Sequence, residues 1–365
     1  MNEQDAALTR LGWDTGWAAS FTPFAAEGIR PARVVAVHRE TSIVRDHAGD
    51  RSASVSGAFR FAALTHSDFP TVGDWVAVDS VDVVSAVLPR RGVFRRIVVD
   101  ATRRNGRFGD EQIMASNIDV ALLVAGLDND FNLHRIERYL AIAWSSSVTP
   151  VVVLNKADLT DDVDGRLVAV RTIAPDVATV AISARTGAGL DALREHLRPG
   201  TTAAILGSSG VGKSTLVNAL LGEDRQATAE VRGSDSRGRH TTTHRELFEL
   251  PGGALLVDTP GIRALEVLGA EEGVETAFDD VVDLAATCRF SNCRHEGEPG
   301  CAIQAALADG SLGAERLAGH QKLERELGRA ARESDPRARA AQLRTWKIVH
   351  KSVDEQMQRK YGERS

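Results

Sequence analysis

Gly207-Ser208-Ser209-Gly210-Val211-Gly212-Lys213-Ser214 fits G-x-x-x-x-G-K-[ST], the pattern of a phosphate-binding loop. The apolar run Ala203-Ala204-Ile205-Leu206 before it reads as a buried strand, and Ser214-Thr215-Leu216-Val217 opens a helix after it. Glycines let the backbone curl until successive N–H groups face one anion, and the helix N-terminus adds partial positive charge. The expected phosphate-binding set is Gly207, Ser208, Ser209, Gly210, Val211, Gly212, Lys213, Ser214 and Thr215. Lys213 would reach the β- and γ-phosphates, and the Ser214 hydroxyl would ligate Mg²⁺. A glycine-rich turn that binds nothing is the plainer alternative; the full pattern between a strand and a helix argues against it.

Upstream of this loop, apolar strands over 120–125, 151–154 and 177–182 alternate with helices over 133–144, 163–173 and 190–197. Such alternation predicts a parallel sheet covered on both faces, with ligands beyond the strands' carboxyl ends. Downstream, residues 225–240 read as a polar loop. A hairpin then crosses Pro251-Gly252-Gly253 between 244–250 and 254–257.

Four shorter motifs surround the loop. Asn155-Lys156-Ala157-Asp158 ends a predicted strand and fits N-K-x-D. Asp158 would accept from guanine N1–H and its 2-amino group, a donor pair that adenine lacks. Asn155 would brace the loop and the Lys156 stem would lie over the base. At Ser183-Ala184 a backbone N–H, taken as that of Ala184, would donate to guanine O6. In Asp258-Thr259-Pro260-Gly261, Asp258 would hold Mg²⁺ through water and the Gly261 N–H would meet the γ-phosphate. One hydroxyl of Thr241-Thr242-Thr243, taken as Thr242, would complete the Mg²⁺ shell. Each motif alone recurs by chance; together with the loop they define a guanine nucleotide site.

The chain has 365 residues, 43% of them hydrophobic, enough for two or three domains with a sizeable core. A net charge of −6 does not mark a nucleic-acid binder as a whole. No apolar run approaches the roughly eighteen residues of a membrane span. The acidic start Met1-Asn2-Glu3-Gln4-Asp5 lacks the features of a signal peptide, so a cytoplasmic protein is expected. All three cysteines lie in Cys288-x₄-Cys293-x-His295-x₅-Cys301. Three thiolates and an imidazole in this spacing suit a closed, structural, tetrahedral Zn²⁺ site, with Arg289 and Arg294 offsetting the negative charge.

The flanks are less regular. Trp13, Trp17, Phe21 and Phe24 form a loose apolar arm. Short β-rich runs at 33–38, 41–45, 58–61 and 74–78 predict a small barrel of the oligonucleotide-binding kind. Arg90, Arg91, Arg95, Arg96, Arg103, Arg104 and Arg107, with Phe94 and Phe108, suit either phosphate contact with base stacking or a solvated linker. Beyond residue 269 the pattern is helical, over 272–284, 303–307 and 315–331, and ends in a basic segment over 346–361.

Here the base-reading motifs precede the phosphate loop, whereas small GTPases run in the opposite order. The chain thus resembles a circularly permuted GTPase. Gly73-Asp74-Trp75-Val76, Asn117-Ile118-Asp119, Gly238-Arg239-His240-Thr241-Thr242-Thr243, Asp258-Thr259-Pro260-Gly261-Ile262-Arg263 and the Cys/His spacing make it resemble, over nearly its whole length, the bacterial ribosome small subunit-dependent GTPase A family.

The fold this resemblance implies is an N-terminal arm (1–30), an oligonucleotide-binding-like β-barrel (31–100), a permuted α/β GTPase domain (101–268) and a helical zinc-binding domain (269–365). It implies GTP and GDP as ligands, Mg²⁺ with the nucleotide, and one structural Zn²⁺. The implied partner is the late-maturing small ribosomal subunit with its rRNA, which stimulates turnover. A monomer away from membranes is expected. Ile262 stands where Ras-like enzymes carry the glutamine that orients water, so His240 is the expected catalytic partner of Lys213. The alternatives are a permuted GTPase acting on the large subunit, a non-enzymatic RNA-binding protein with a degenerate nucleotide site, and a P-loop kinase.

Overall fold

A computed structural model describes residues 3–26, 28–38, 41–97, 111–128, 130–223, 245–258 and 271–334. The chain opens with α1 (Glu3–Arg10) and α2 (Thr15–Phe21), the latter capped by Asp14, whose side chain accepts from the Trp17 N–H at 2.7 Å. Then come β1 (Arg30–Val37), β2 (Ser42–Asp46), β3 (Gly49–Val55), α3 (Gly57–Ala62), β4 (Trp75–Val78) and β5 (Val83–Val87). The five strands run in the order β1-β2-β3-β5-β4, and β4 returns to β1, closing a barrel. Inside it pack Ala32, Val34, Val44, Ala53, Val76, Val78 and Val84. The run 58–61, expected as a strand, is instead helical. The Ser56 side chain accepts from the Phe59 N–H at 3.0 Å and starts the turn. A hairpin of β6 (Phe94–Ile97) and β7 (Glu111–Ala115) follows.

The nucleotide-domain elements are β8 (Val120–Gly126), α4 (Leu133–Ser145), β9 (Thr149–Asn155), α5 (Val163–Ile173), β10 (Ala178–Ala181), α6 (Leu190–Arg194), β11 (Thr202–Gly207), α7 (Lys213–Leu221), β12 (Arg245–Glu249) and β13 (Leu255–Asp258). Their order across the sheet is β10-β9-β8-β11-β13-β12, parallel except for β12. Strand periodicity divides the core. Ala121, Leu123 and Ala125 of β8 face one cluster with Ile136 and Leu140 of α4, while Val120, Leu122 and Val124 face another with Leu216, Val217 and Leu220 of α7. The sheet does not stop at β12. Ala36 and Val37 of β1 pair with Glu246 and Arg245, so barrel and nucleotide domain form one eleven-stranded sheet.

Two of the family motifs meet at this junction. Gly73 has φ +93°, and a Cβ there would sit 2.1 Å from the Ser116 carbonyl, so only glycine fits. Its own carbonyl accepts from the Asn117 side chain at 2.8 Å, and Asp119 accepts from the Thr202 N–H at 2.7 Å. Arg33, 2% exposed, donates to the Gly73, Leu11 and Asn117 carbonyls and to the Thr202 hydroxyl. The aromatic arm covers the same place, with the Trp13 ring 4.6 Å from that of Trp75.

The C-terminal elements are α8 (Glu271–Ala277), α9 (Asp279–Ala286), α10 (Ala302–Asp309) and α11 (Ala314–Ser334). The helix expected over 272–284 is two helices, parted at Phe278, whose buried ring helps fill their core. They dock on α4. Glu137, 2% exposed, accepts from Arg316 at 3.0 Å, and Arg138 pairs with Glu326 at 2.9 Å. Among the described residues no helix is long and apolar enough to cross a membrane.

Candidate functional site

The phosphate loop joins β11 to α7 at the carboxyl edge of the sheet. Gly207 is pressed against β8, where a Cβ would lie 2.6 Å from the Val124 carbonyl. Gly210 and Gly212 have φ of +84° and +92°, the left-handed turns that bend the loop around its centre. The Lys213 ammonium donates to the Gly207 carbonyl at 2.8 Å and also to that of Ser208. The loop lies at the N-terminus of α7, where unpaired helix N–H groups and the dipole favour an anion.

The base-reading motifs lie on the neighbouring strand ends, and Asn155 ties them to this loop. Buried at 2% exposure, it donates from Nδ2 to the Val211 carbonyl at 2.8 Å and accepts at Oδ1 from the Ala184 N–H at 2.9 Å. The three motifs therefore sit side by side despite their spread along the chain. Asp158 accepts at one oxygen from the Ser183 hydroxyl at 2.6 Å and at the other from Arg185 at 2.5 Å. The Ser183 bond, chief among these, holds the carboxyl below its ordinary range, so it is an anion and a pure acceptor at neutral pH. Lys156 adopts φ +66° and its ammonium pairs with Asp128, at the end of β8. The Ala184 N–H, expected to meet guanine O6, is engaged by Asn155, so a base oxygen would have to share it.

Ser214 lies in the first turn of α7, and Asp258 ends β13, the strand adjacent to β11. The sheet order puts Asp258 on the opposite side of β11 from Asp158. Gly261, His240 and the Thr241-Thr242-Thr243 run lie outside the described residues.

Arg90, Arg91 and Phe94 have structural roles that neither reading of the arginine cluster foresaw. Arg90 grips both oxygens of buried Asp74, at 2.8 and 2.7 Å, and also bonds the Ser67 and Phe69 carbonyls. Arg91 stacks over Trp17 at 4.0 Å and pairs with Asp14 at 2.9 Å. Phe94 is fully buried and is no stacking platform. Arg103, Arg104, Arg107 and Phe108 lie outside the described residues, as does the basic segment 346–361.

Cys288, Cys293, His295 and Cys301 converge, with their ligand atoms all within 4.8 Å of one another. His295 Nδ1 lies 3.6 Å from the Cys288 sulfur and 3.4 Å from that of Cys301, and those two sulfurs are 3.9 Å apart. Burial opposes ionisation of Cys288, but N–H groups of Ala302 and Ile303 at the start of α10 bring its thiol below the ordinary value. Burial, reinforced by the neighbouring sulfurs, pushes Cys293 up to about 11. Closely packed thiolates need a cation to coexist, so the group is a metal-binding one. The Arg289 guanidinium, expected as a counter-charge, lies over the Phe290 ring at 5.4 Å.

Sequence reading missed Asp128, Asp130, Arg135 and Arg185. None belongs to a quoted motif. Arg185 follows Ser183-Ala184 directly, and Arg135 sits in the first turn of the helix after β8; these positions were the only signal.

The RsgA GTPase family model matches residues 87–268. The small ribosomal subunit biogenesis GTPase RsgA of Opitutus terrae is 47% identical over 358 residues, covering 94% of this chain and 96% of that protein. Its namesake from Streptomyces coelicolor is 43% identical over 343 residues, covering 92% and 90%. Among solved structures, YjeQ from Thermotoga maritima superposes with a TM-score of 0.60 at 28% identity, covering 82% of this chain and 98% of the other. YloQ, a circularly permuted GTPase, superposes at 0.56 with 21% identity, covering 83% and 96%.

Proposed function

The chain belongs to the RsgA GTPase family, and on that premise we propose that this GTPase hydrolyses GTP on the small ribosomal subunit during that subunit's biogenesis. One observation carries the nucleotide reading. Asn155 bonds the phosphate loop on one side and Ala184 on the other, so the segments carrying Asp158 and Lys213 are braced side by side, as one bound nucleotide would need. Asp158 would read guanine, while Gly207 to Thr215 and Gly261 would enclose the phosphates. The relatives' names support the choice of subunit, and with it the rRNA as a contact and the cytoplasm as the place of work. We take the working unit to be a monomer. We divide the chain into an arm (1–30), a barrel (31–100), the permuted GTPase domain (101–268) and a metal-binding helical domain (269–365).

Mg²⁺ would be held by Ser214, Asp258 and Thr242, and would neutralise charge on the transferring γ-phosphoryl. Within the chain, Lys213 and the loop N–H groups hold the same phosphates. Ile262 cannot orient a water molecule, so we assign that task to His240, with slow turnover until the subunit binds. For the metal group, Zn²⁺ fits. Tetrahedral bonds of about 2.3 Å to sulfur and 2.0 Å to nitrogen imply separations of roughly 3.8 and 3.5 Å. The ligand atoms of Cys288, His295 and Cys301 lie 3.4–3.9 Å apart. Cys288, Cys293, His295 and Cys301 fill four positions and leave none for substrate, so its role is structural.

GTP turnover measured alone, with purified small subunits and with large subunits tests the proposal. Stimulation by small subunits alone is expected. Equal stimulation by large subunits, or none by either, would overturn the assignment.

A further inference from the structure

Two side chains outside every recognised motif, Arg135 and Asp130, bind the phosphate loop at Ser208. Arg135, in the first turn of α4, donates from Nη1 to Asp130 at 2.6 Å and to the Ser208 hydroxyl at 2.8 Å. That hydroxyl donates in turn to the same Asp130 oxygen at 2.5 Å, closing a triangle of charge-assisted bonds. Burial raises the Asp130 carboxyl, but Arg135 and Ser208 more than offset this, and it sits below its ordinary range. Asn132 caps α4 by accepting from the Arg135 N–H at 3.1 Å, which fixes where the guanidinium starts.

The loop is also fastened at Gly207, packed on the Val124 carbonyl, and at Val211, held by Asn155. Between them the Ser208 carbonyl accepts from Lys213. Lys213 is also the residue expected to leave for the phosphates. Once it does, the Ser208 side chain still ties the first half of the loop to Arg135 and Asp130.

We propose that Arg135, backed by Asp130, is a positioning residue: it holds Ser208 so that the loop's N–H groups are pre-aimed at the β-phosphate. The proposal rests on the nucleotide reading above. Arg135 touches no phosphate in this role and acts through Ser208. Those N–H groups contact the bound phosphates before and during transfer alike. Loosening them weakens binding more than it slows the chemical step. The docking of α4 on α11 through Glu137–Arg316 and Arg138–Glu326 gives the guanidinium a rigid base.

The test compares Arg135→Gln, Arg135→Lys, Ser208→Ala and the Arg135→Gln/Ser208→Ala double variant in the full chain. KM and kcat are measured for GTP and for ATP, with Tm as a check on folding. Arg135→Gln and Ser208→Ala are each expected to raise KM about five- to tenfold with kcat within about twofold. The double variant should be no worse than Ser208→Ala alone, because that change already removes the Arg135–Ser208 contact. Arg135→Lys should recover part of the loss. Ser208→Ala removes only one oxygen, so it reports even if an Arg135 variant misfolds. Singles within about twofold of wild type, or losses that multiply, would overturn the positioning role. Wild type that does not prefer GTP over ATP would sink the base reading alone, since the loop takes a triphosphate of either base and the clamp is still judged by KM.

Discussion

Arg33 Nη2 donates to Thr202 Oγ1 across 3.0 Å, joining the first strand of the barrel to the first residue of the strand that carries the phosphate loop. The guanidinium is fully enclosed, and its other partners are carbonyls from three different segments. Burial with no carboxylate in direct contact lowers its pKa to about 10, still well above neutrality.

Arg33→Ala should therefore destabilise by about 3–5 kcal/mol, because it strands several buried acceptors and opens a void. Arg33→Lys should rescue little, since an ammonium cannot match the planar fork. Chemical denaturation followed by tryptophan fluorescence checks this, as Trp13, Trp17 and Trp75 surround the site.

Asn155→Ala would unpair the Val211 carbonyl and the Ala184 N–H together. Each is buried, so a stability loss of about 1–3 kcal/mol is expected. Guanine nucleotide affinity should fall at least about tenfold, because loop and base readers lose their common brace. Isothermal titration with GDP measures it, and unchanged affinity would contradict the bridging role.

Asp158→Asn should move preference from GTP toward XTP by exchanging an acceptor for a donor. The depressed pKa of Asp158 carries a pH consequence. Its charged form is favoured in the fold, so that contribution is present above about pH 3.8 and is lost only as pH falls through the lower folded value. GTP-over-ATP preference should then stay flat from neutrality to about pH 5. Competition binding across that range would reveal any earlier loss.

Metal removal should act on the C-terminal helices. Chelation, or Cys301→Ser, is expected to release one ion per chain and lower helicity, with GDP binding retained. Serine can still cap α10, where Cys301 accepts from the Gln304 N–H at 3.5 Å, so that variant isolates ligation from capping. Because the Cys293 thiol lies at about 11, metal uptake should release protons and weaken as pH falls. Metal quantification against pH reads both effects.

His240→Ala should keep nucleotide affinity and lose subunit-stimulated turnover. Full stimulation in that variant would remove His240 from the mechanism.

Much of this was legible in the chain, for identifiable reasons. β8, β9 and β11 are buried on both faces, so their apolar runs announce them. The ligand group is local, with all its members between Cys288 and Cys301. The barrel was harder. β3, Gly49–Val55, buries only Ala53, and its polar sequence gave no alternation to read. The misread run at 58–61 has β-prone phenylalanines, yet Phe61 is 92% exposed and the serine before the run decides the turn. The contacts Asn155–Val211, Arg135–Ser208 and Arg33–Thr202 join residues 56 to 169 positions apart, and no local pattern encodes such pairs.

The ladder between β1 and β12 has a practical corollary. Neither neighbour possesses a finished border of its own. A chain trimmed of its first ninety or so residues would bare the backbone of β12 and invite strand exchange between molecules. Shuffling these two modules apart, by an engineer or by evolution, would first require a new edge to be built.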